Sequence, residues 1–326
     1  MAVVFDSYRS GDDAQLVPLW QRSIWKDSIN DERFRNLFLL DANFDPEGLR
    51  IARDGGRIVG ACYALRRQLP MSGTDLEPGN GWITWFCVDP GERRRGIGSR
   101  LMKDALAFLA SKGVKTAYFA SYAPNYIVPG LDRSAYPEAS AMMDKLGFTR
   151  QYECVAMDLN MLDYHYTEDA AKTKAKREAE GYLFRSATNA DLKEVVSFND
   201  REFNADWARA IREGVPRNVP MDQVVICREP APAGAAAGSL GKICGFAMFG
   251  AYEGLRERFG PFGVQEKKRG LGLGKVLLNE CLMRQKAIGV HGSWFLWTSE
   301  REVCGILYQK TGFKITRRFD VLQKKI

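Results

Sequence analysis

The chain has 326 residues, with 47 Lys and Arg against 40 Asp and Glu and a formal charge of +7. That length exceeds one ordinary hydrophobic core and suits two domains of roughly 150 residues each. The positive excess favours an anionic ligand, while the lack of an arginine-rich tail or an aromatic RNA-binding pattern argues against nucleic acid as the main partner.

In chain order, residues 50–53 and 57–65 read as strands around Asp54-Gly55-Gly56, a hairpin signal. A strand at 81–88 follows, then a glycine-rich turn and a helix to about Lys112. Residues 114–121 form the next strand, 139–146 a helix ending at Gly147-Phe148, and 153–160 a closing strand. Residues 161–181 are charged and poor in large apolar side chains after Tyr166, the best candidate for a connection, with a solvated helix as one form of it. The second half repeats the order. Residues 224–228 and 242–249 form a hairpin whose Pro-, Ala- and Gly-rich connection, 229–241, reads as a mobile loop. Then come a strand at 259–264, a glycine turn with a helix to about Ala287, a strand at 293–298, a helix at 303–310 ending at Gly312-Phe313, and a strand at 319–323. Three glycine pairs keep their order between the halves: Gly60 with Gly245, Gly98 with Gly274, and Gly147 with Gly312. An old duplication with drifting loops explains this, and the expected boundaries are 1–162, a linker at 163–181, and 182–326.

The repeated turn is the chemical signal. Arg93-Arg94-Arg95-Gly96-Ile97-Gly98-Ser99 and Arg269-Gly270-Leu271-Gly272-Leu273-Gly274-Lys275 both read basic-x-x-Gly-x-Gly at the start of a helix. Glycines at a helix tip let backbone N–H groups approach an anion, and the helix N-terminus adds about half a positive charge. Forked arginine donors suit phosphate oxygens. A P-loop is excluded because Val276 follows Gly274-Lys275 where a hydroxyl is required. A dinucleotide fingerprint is excluded because Ser99-Arg100-Leu101 lacks its third glycine. One copy alone is compatible with a plain strand-to-helix turn; two copies at matching positions favour a pyrophosphate site.

The stretches from Val88 to Gly98 and from Val264 to Gly274, with Lys145-Leu146-Gly147-Phe148 and Tyr308-Gln309-Lys310-Thr311-Gly312-Phe313, resemble the GNAT superfamily of acyl-CoA-dependent N-acetyltransferases. The resemblance covers nearly the whole chain as a tandem pair. It implies two α/β (α+β) domains, each a mixed, mostly antiparallel sheet flanked by helices. It implies acetyl-CoA as cofactor, with the glycine loops on its pyrophosphate. The pantetheine arm and thioester would then lie along Phe86, Cys87 and Val88 in the first half, and along Phe262, Gly263 and Val264 in the second. Asn125 either hydrogen-bonds the pantetheine arm or simply forms a turn.

In such a reaction an amine attacks the thioester directly. The developing oxyanion needs a preorganised donor, which the N–H of Val88 or Val264 supplies. Deprotonating an amine of pKa near 10.4 at neutral pH costs roughly 4–5 kcal/mol, so a base helps, and an acid helps the departing thiolate. Tyr308, four residues before Gly312, stands where the family places that acid; packing as a core tyrosine on Phe313 is the competing reading. The matching residue of the first half is Met143, which has no proton to give, leaving Tyr136, Tyr126 or water. Glu300 and Glu253 are the candidate bases, and His291 sits among turn glycines. Tyr308 makes the second half the expected catalytic one.

The expected acceptor is a small-molecule or peptide amine, whose identity the sequence leaves open: small amine, antibiotic, peptide N-terminus and protein lysine are all candidates. Two rivals stand beside the enzyme: a non-enzymatic acyl-CoA sensor, favoured by Met143 and the lack of an obvious base, and an acyltransferase fed by aminoacyl-tRNA. Seven dispersed cysteines and two histidines suggest buried free thiols and no metal site. No signal peptide or membrane-length apolar run is visible, so the expected location is cytoplasmic.

Overall fold

The computed structural model describes residues 2–71, 73, 76–217, 219–236 and 238–326. Ala237, in the loop expected to be mobile, lies outside them. The chain divides into two compact units, Met1–Val155 with Arg317–Ile326, and Ala156–Thr316.

The first unit contains β1 (Val4–Ser7), α1 (Asp13–Ser23), α2 (Asp31–Phe34), β2 (Leu49–Asp54), β3 (Arg57–Leu65), β4 (Asn80–Val88), α3 (Ile97–Ser111), β5 (Thr116–Phe119), α4 (Pro137–Lys145) and the start of β6 (Thr149–Asn160). The second unit contains α5 (Glu168–Ala179), β7 (Leu183–Ser186), α6 (Leu192–Glu202), α7 (Ala205–Gly214), β8 (Val224–Arg228), β9 (Ile243–Phe249), β10 (Phe259–Val264), α8 (Leu273–Ala287), β11 (Gly292–Thr298) and α9 (Val303–Thr311). The last strand, β12 (Lys314–Lys325), starts in the second unit and finishes in the first.

Strands of the first unit run in the order β1-β2-β3-β4-β5-β12-β6. β4 and β5 pair in parallel, whereas the β12–β5 pairing and the pairings from β1 to β4 are antiparallel. Both faces of β3 are buried. Ile58, Ala61, Tyr63 and Leu65 pack with Leu16, Trp20, Phe34 and Phe38 on one side. Val59, Cys62 and Ala64 pack with Leu101, Ala105 and Leu109 of α3 on the other. Residues 101, 105 and 109 share one helix face, which explains how α3 lies along the sheet. The second unit has an antiparallel sheet β10-β9-β8-β7, with Phe246 and Met248 of β9 packed against Val195 and Phe198 of α6.

The duplication has a packing cause. A Cβ on Gly60 would sit 3.0 Å from Leu101, and one on Gly245 would sit 2.8 Å from Leu277. Leu101 and Leu277 each lie three residues beyond the last motif glycine, so each glycine gives its helix room against the sheet. Gly60 pairs with Val88 as Gly245 pairs with Val264.

Two expectations change. The segment expected to link the domains holds α5, which belongs to the second unit and packs on α8. Its Thr167 cap, acidic first turn and basic last turn give it a proper helix signature. The closing strand of the chain is counted with the first unit from Arg317 onward. Six of the seven cysteines are buried free thiols and Cys304 is exposed. Among the described residues no helix is long and apolar enough to cross a membrane.

Candidate active site

In the first unit β4 and β5 pair only from Asn80↔Thr116 to Ile83↔Phe119. The last contact is the Ala120 N–H donating to Ile83 O at 2.9 Å, after which β5 turns away at Ala120, whose φ is 62°. Residues 84–88 therefore keep β3 on one edge and lose β5 on the other. The Asp89 N–H donates to Val59 O at 2.9 Å. Counting back along an antiparallel ladder aims the backbone of Cys87 at β3 and that of Phe86 and Val88 at the open side.

The glycine loop follows. Asp89 accepts from the Gly91 N–H at 3.1 Å and from Arg22 at 2.9 Å. Burial raises the Asp89 pKa, but these bonds and the nearby Arg57 outweigh it and hold the carboxyl below its ordinary value. Gly96 turns the chain at φ 78° into α3, whose first backbone bond is Arg100 N–H to Gly96 O at 3.0 Å. The N–H groups of Ile97, Gly98 and Ser99 have no earlier carbonyl in the helix and suit an anion. A Cβ on Gly98 would meet Met142 and Val88 at 3.4 Å.

A cavity of about 880 Å³ joins these features, lined by Phe86, Cys87 and Val88, by Arg93, Arg94, Gly96, Ile97, Gly98 and Ser99, and by Met142 and Leu146 near α4. Lys103 and Lys145 add cations to the lining, and Asp27, Glu92, Asp132 and Glu138 add carboxylates. Arg95, expected among the phosphate ligands, instead bonds Glu92 and lies 3.8 Å from Asp54. Asn125 lies outside the lining, and its amide donates to Asp41 at 2.5 Å. Burial pushes the Cys87 thiol up to about 12, so it stays protonated and is no rival nucleophile for the thioester.

The sequence reading missed the N-terminal contribution. Trp20, Ser23, Ile24, Trp25 and Asp27, from α1 and the turn after it, all line the cavity. This segment carries no chemical motif. Its one readable sign is Asn30 before Asp31-Glu32, which caps α2 by accepting from Arg33 N–H at 2.8 Å. Tyr136 lines the cavity and donates its hydroxyl to Asp27 at 2.9 Å. Burial first, then the Asp27 charge, raises its pKa.

The second unit copies the backbone, and among the described residues side chains of α5 and an aromatic cluster pack beside it. Gly272 has the same φ of 78°, and α8 starts at Leu273. Helix α5 lies across this loop. Arg177 donates to Leu271 O at 2.9 Å, Thr173 would sit 2.7 Å from a Cβ on Gly272, and Lys275 is ion-paired to Asp169. The Phe203 ring would come within 2.4 Å of a Cβ on Gly263. Phe262 lies 3.2 Å from a Cβ placed on Gly274 and packs on Tyr308. Beyond the isolated parallel bridge between Arg258, just before β10, and Trp294 of β11, Phe259, Phe262, Phe295, Tyr308 and Phe313 form one cluster, with the Phe295 and Tyr308 ring centroids 4.4 Å apart. Burial raises the Tyr308 phenol well above its ordinary pKa. Val264 and Arg269 keep their places beside the loop, and Gly270 has a φ of 82°. Glu300 follows β11, where its carbonyl accepts from Gln309 at 3.0 Å, and Glu253 is ion-paired with Arg258 at 3.2 Å. The carbonyl of His291 accepts from Met161 N–H at 2.9 Å.

A strand that runs into a glycine-led helix, present twice, and in the first unit splayed from its parallel neighbour, defines the class, and the comparisons agree. Residues 16–128 match the acetyltransferase (GNAT) family, and residues 224–315 match the acetyltransferase (GNAT) domain. The chain belongs to the GNAT family, as two GNAT domains in tandem, and enzymes of this family use acetyl-CoA. It is 28% identical over 157 residues to a mycothiol acetyltransferase of Acidimicrobium ferrooxidans, a match spanning 47% of this chain and 46% of that one. Among solved structures it is similar to the glucosamine N-acetyltransferase region of a fungal multi-domain GH3 β-N-acetylglucosaminidase. There the TM-score is 0.80 and the identity 19%, over 99% of this chain and 38% of the other. It is also similar to a tandem GNAT protein from the clavulanic acid biosynthesis pathway, with TM-score 0.62 and 16% identity over 99% and 98% of the two chains.

Proposed function

We propose that the first unit transfers acetyl from acetyl-CoA to a primary amine by direct attack on the thioester, and that the second unit is a structural partner. The observation that carries this reading is the cavity running from the glycine loop to the unpaired end of β4. The diphosphate would rest on the N–H groups of residues 97–99, with Arg93, Arg94 and Lys103 around it. The pantetheine arm would pair with Phe86 and Val88, and one of their N–H groups would receive the oxyanion. The departing thiolate is a far weaker base than an alkoxide or amide anion, so water can supply its proton.

This moves catalysis from the half that keeps Tyr308 to the half that keeps an open cavity. A phenol sealed among four phenylalanines is poorly placed to reach a thiolate, which supports the core-packing reading of Tyr308. Asp27 and Asp132 favour an acceptor that arrives as an ammonium ion. Trp25, 66% exposed in the cavity wall, offers a flat apolar face beside that charge. An amino sugar combines both features, and glucosamine, named for the fungal relative, is the first acceptor to try.

The test is release of free coenzyme A thiol from acetyl-CoA with glucosamine, ethanolamine, spermidine and lysine methyl ester. Amine-dependent release at least tenfold above background hydrolysis is expected for one of them. Tight coenzyme A binding with no amine-dependent release would favour the sensor instead.

A further inference from the structure

We infer that Arg317, on the returning strand β12, is a positioning residue for the amine acceptor: its one guanidinium fixes two carboxylates of the cavity wall, Asp27 and Asp132. This rests on the proposed transferase reading of the first unit. Arg317 Nη1 donates to Asp27 Oδ1 at 2.5 Å and Nη2 to Asp27 Oδ2 at 3.1 Å, while Nε donates to Asp132 Oδ2 at 2.9 Å. The guanidinium also lies 4.7 Å over the Phe319 ring. Its side chain is 13% exposed, and those of Asp27 and Asp132 are 8% and 3% exposed. Three segments far apart in the chain meet here: the turn after α1, the stretch before α4, and the last strand.

The geometry uses properties that lysine lacks. A planar fork can grip one carboxylate with two nitrogens and a second with its third, whereas an ammonium on a flexible stem holds one firmly. Asp132 is further fixed by the Ser134 hydroxyl at 2.7 Å, by the Ala135 N–H at 3.0 Å and by Lys26 at 3.7 Å. Asp27 also accepts from Tyr136, whose oxygen accepts in turn from the Lys26 N–H at 3.2 Å. Asp27 Oδ1 has only Arg317 among these partners, which leaves it acceptor capacity for a ligand N–H. Two carboxylates share one guanidinium, and the second cation, Lys26, is partly exposed and screened. The cavity lining includes Arg93, Arg94, Lys103 and Lys145 together with Asp27, Glu92, Asp132 and Glu138, and Glu92 is already ion-paired to Arg57 and Arg95. Asp27 and Asp132 are thus the carboxylates that Arg317 holds in place without lining the cavity itself.

The experiment is steady-state kinetics of full-length Arg317→Gln and Arg317→Lys, using the best amine of the four-member panel. Arg317→Gln should raise the amine KM at least tenfold while the acetyl-CoA KM stays within twofold, and Arg317→Lys should fall between it and wild type. Arg318→Gln, beside Arg317 on β12, removes a half-exposed ion pair to Glu153 of β6 and should leave both constants alone. If Arg317→Gln does not fold, Arg317→Lys, which keeps one cation but loses the fork, carries the test and should still raise the amine KM severalfold with the acetyl-CoA KM within twofold. An unchanged amine KM, or both constants moving together with a fall in folded protein, would overturn the inference. Failure of wild type to use any of the four amines would instead count against the proposed function.

Discussion

The two glycine loops are near-copies in backbone and opposites in surroundings. Gly96 and Gly272 share a φ of 78°, each opens a helix, and the preceding valines pair with equivalent glycines. Above the first loop lies the cavity. Above the second lie Asp169, Thr173 and Arg177 of α5, with an aromatic cluster between β10 and β11. Asp169 gives Lys275 a carboxylate partner. The motif therefore specifies a strand-to-helix turn, and whatever packs on the turn decides whether a ligand fits.

The largest predicted effect tests this contrast directly. Arg93→Ala with Arg94→Ala removes two charge-assisted donors, which together contribute about 2–3 kcal/mol to binding, so the acetyl-CoA KM should rise roughly 30- to 150-fold. Arg269→Ala with Lys275→Ala in the second loop should change it less than about threefold.

The two halves also differ in what titrates. Burial raises the Asp132 pKa, but hydrogen bonds from Ser134, Arg317 and Ala135 outweigh it and keep the pKa below its usual value. The group is thus charged above its folded pKa, and its contributions to stability and amine binding are lost only as pH falls through that value. The amine KM should hold steady down to about pH 4 and rise at most about tenfold per unit below it. An inflection near pH 6–7 would assign acceptor binding to another group. In the second unit, the raised phenol of Tyr308 stays neutral throughout this range.

Smaller effects sharpen the point. Tyr308→Phe keeps the ring and its packing, so kcat should stay within about twofold, whereas a loss above tenfold would return catalysis to the second half. Asp169→Ala breaks a pair whose acid is 78% exposed. It should cost less than about 1 kcal/mol, seen as a melting shift of a few degrees at most, with no second coenzyme A taken up.

Much of this was legible in the sequence because it depends on local patterns. Glycines that admit a helix, the hairpin at Asp54-Gly55-Gly56, and the strands 224–228 and 259–264 follow from short-range sterics and alternation. The carboxylate pair was not legible. Asp27, Asp132 and Arg317 come together only through tertiary folding, and Arg317 lies 290 residues from Asp27. Nor does a pattern announce occlusion: Thr167 to Ala179 reads as a capped, charged helix, and nothing local says that it lies on a glycine loop. For Tyr308, a family position fixes where a residue sits on a helix, not whether its hydroxyl reaches the reacting atoms, and the proposed reading gives it a packing role.

The most direct test is a crystal structure of the full chain with coenzyme A. The account predicts one molecule, its diphosphate on residues 96–99 and its pantetheine arm along β4, with α5 still across the second loop. A coenzyme A seated on residues 272–275 with α5 displaced and the first cavity empty would contradict it.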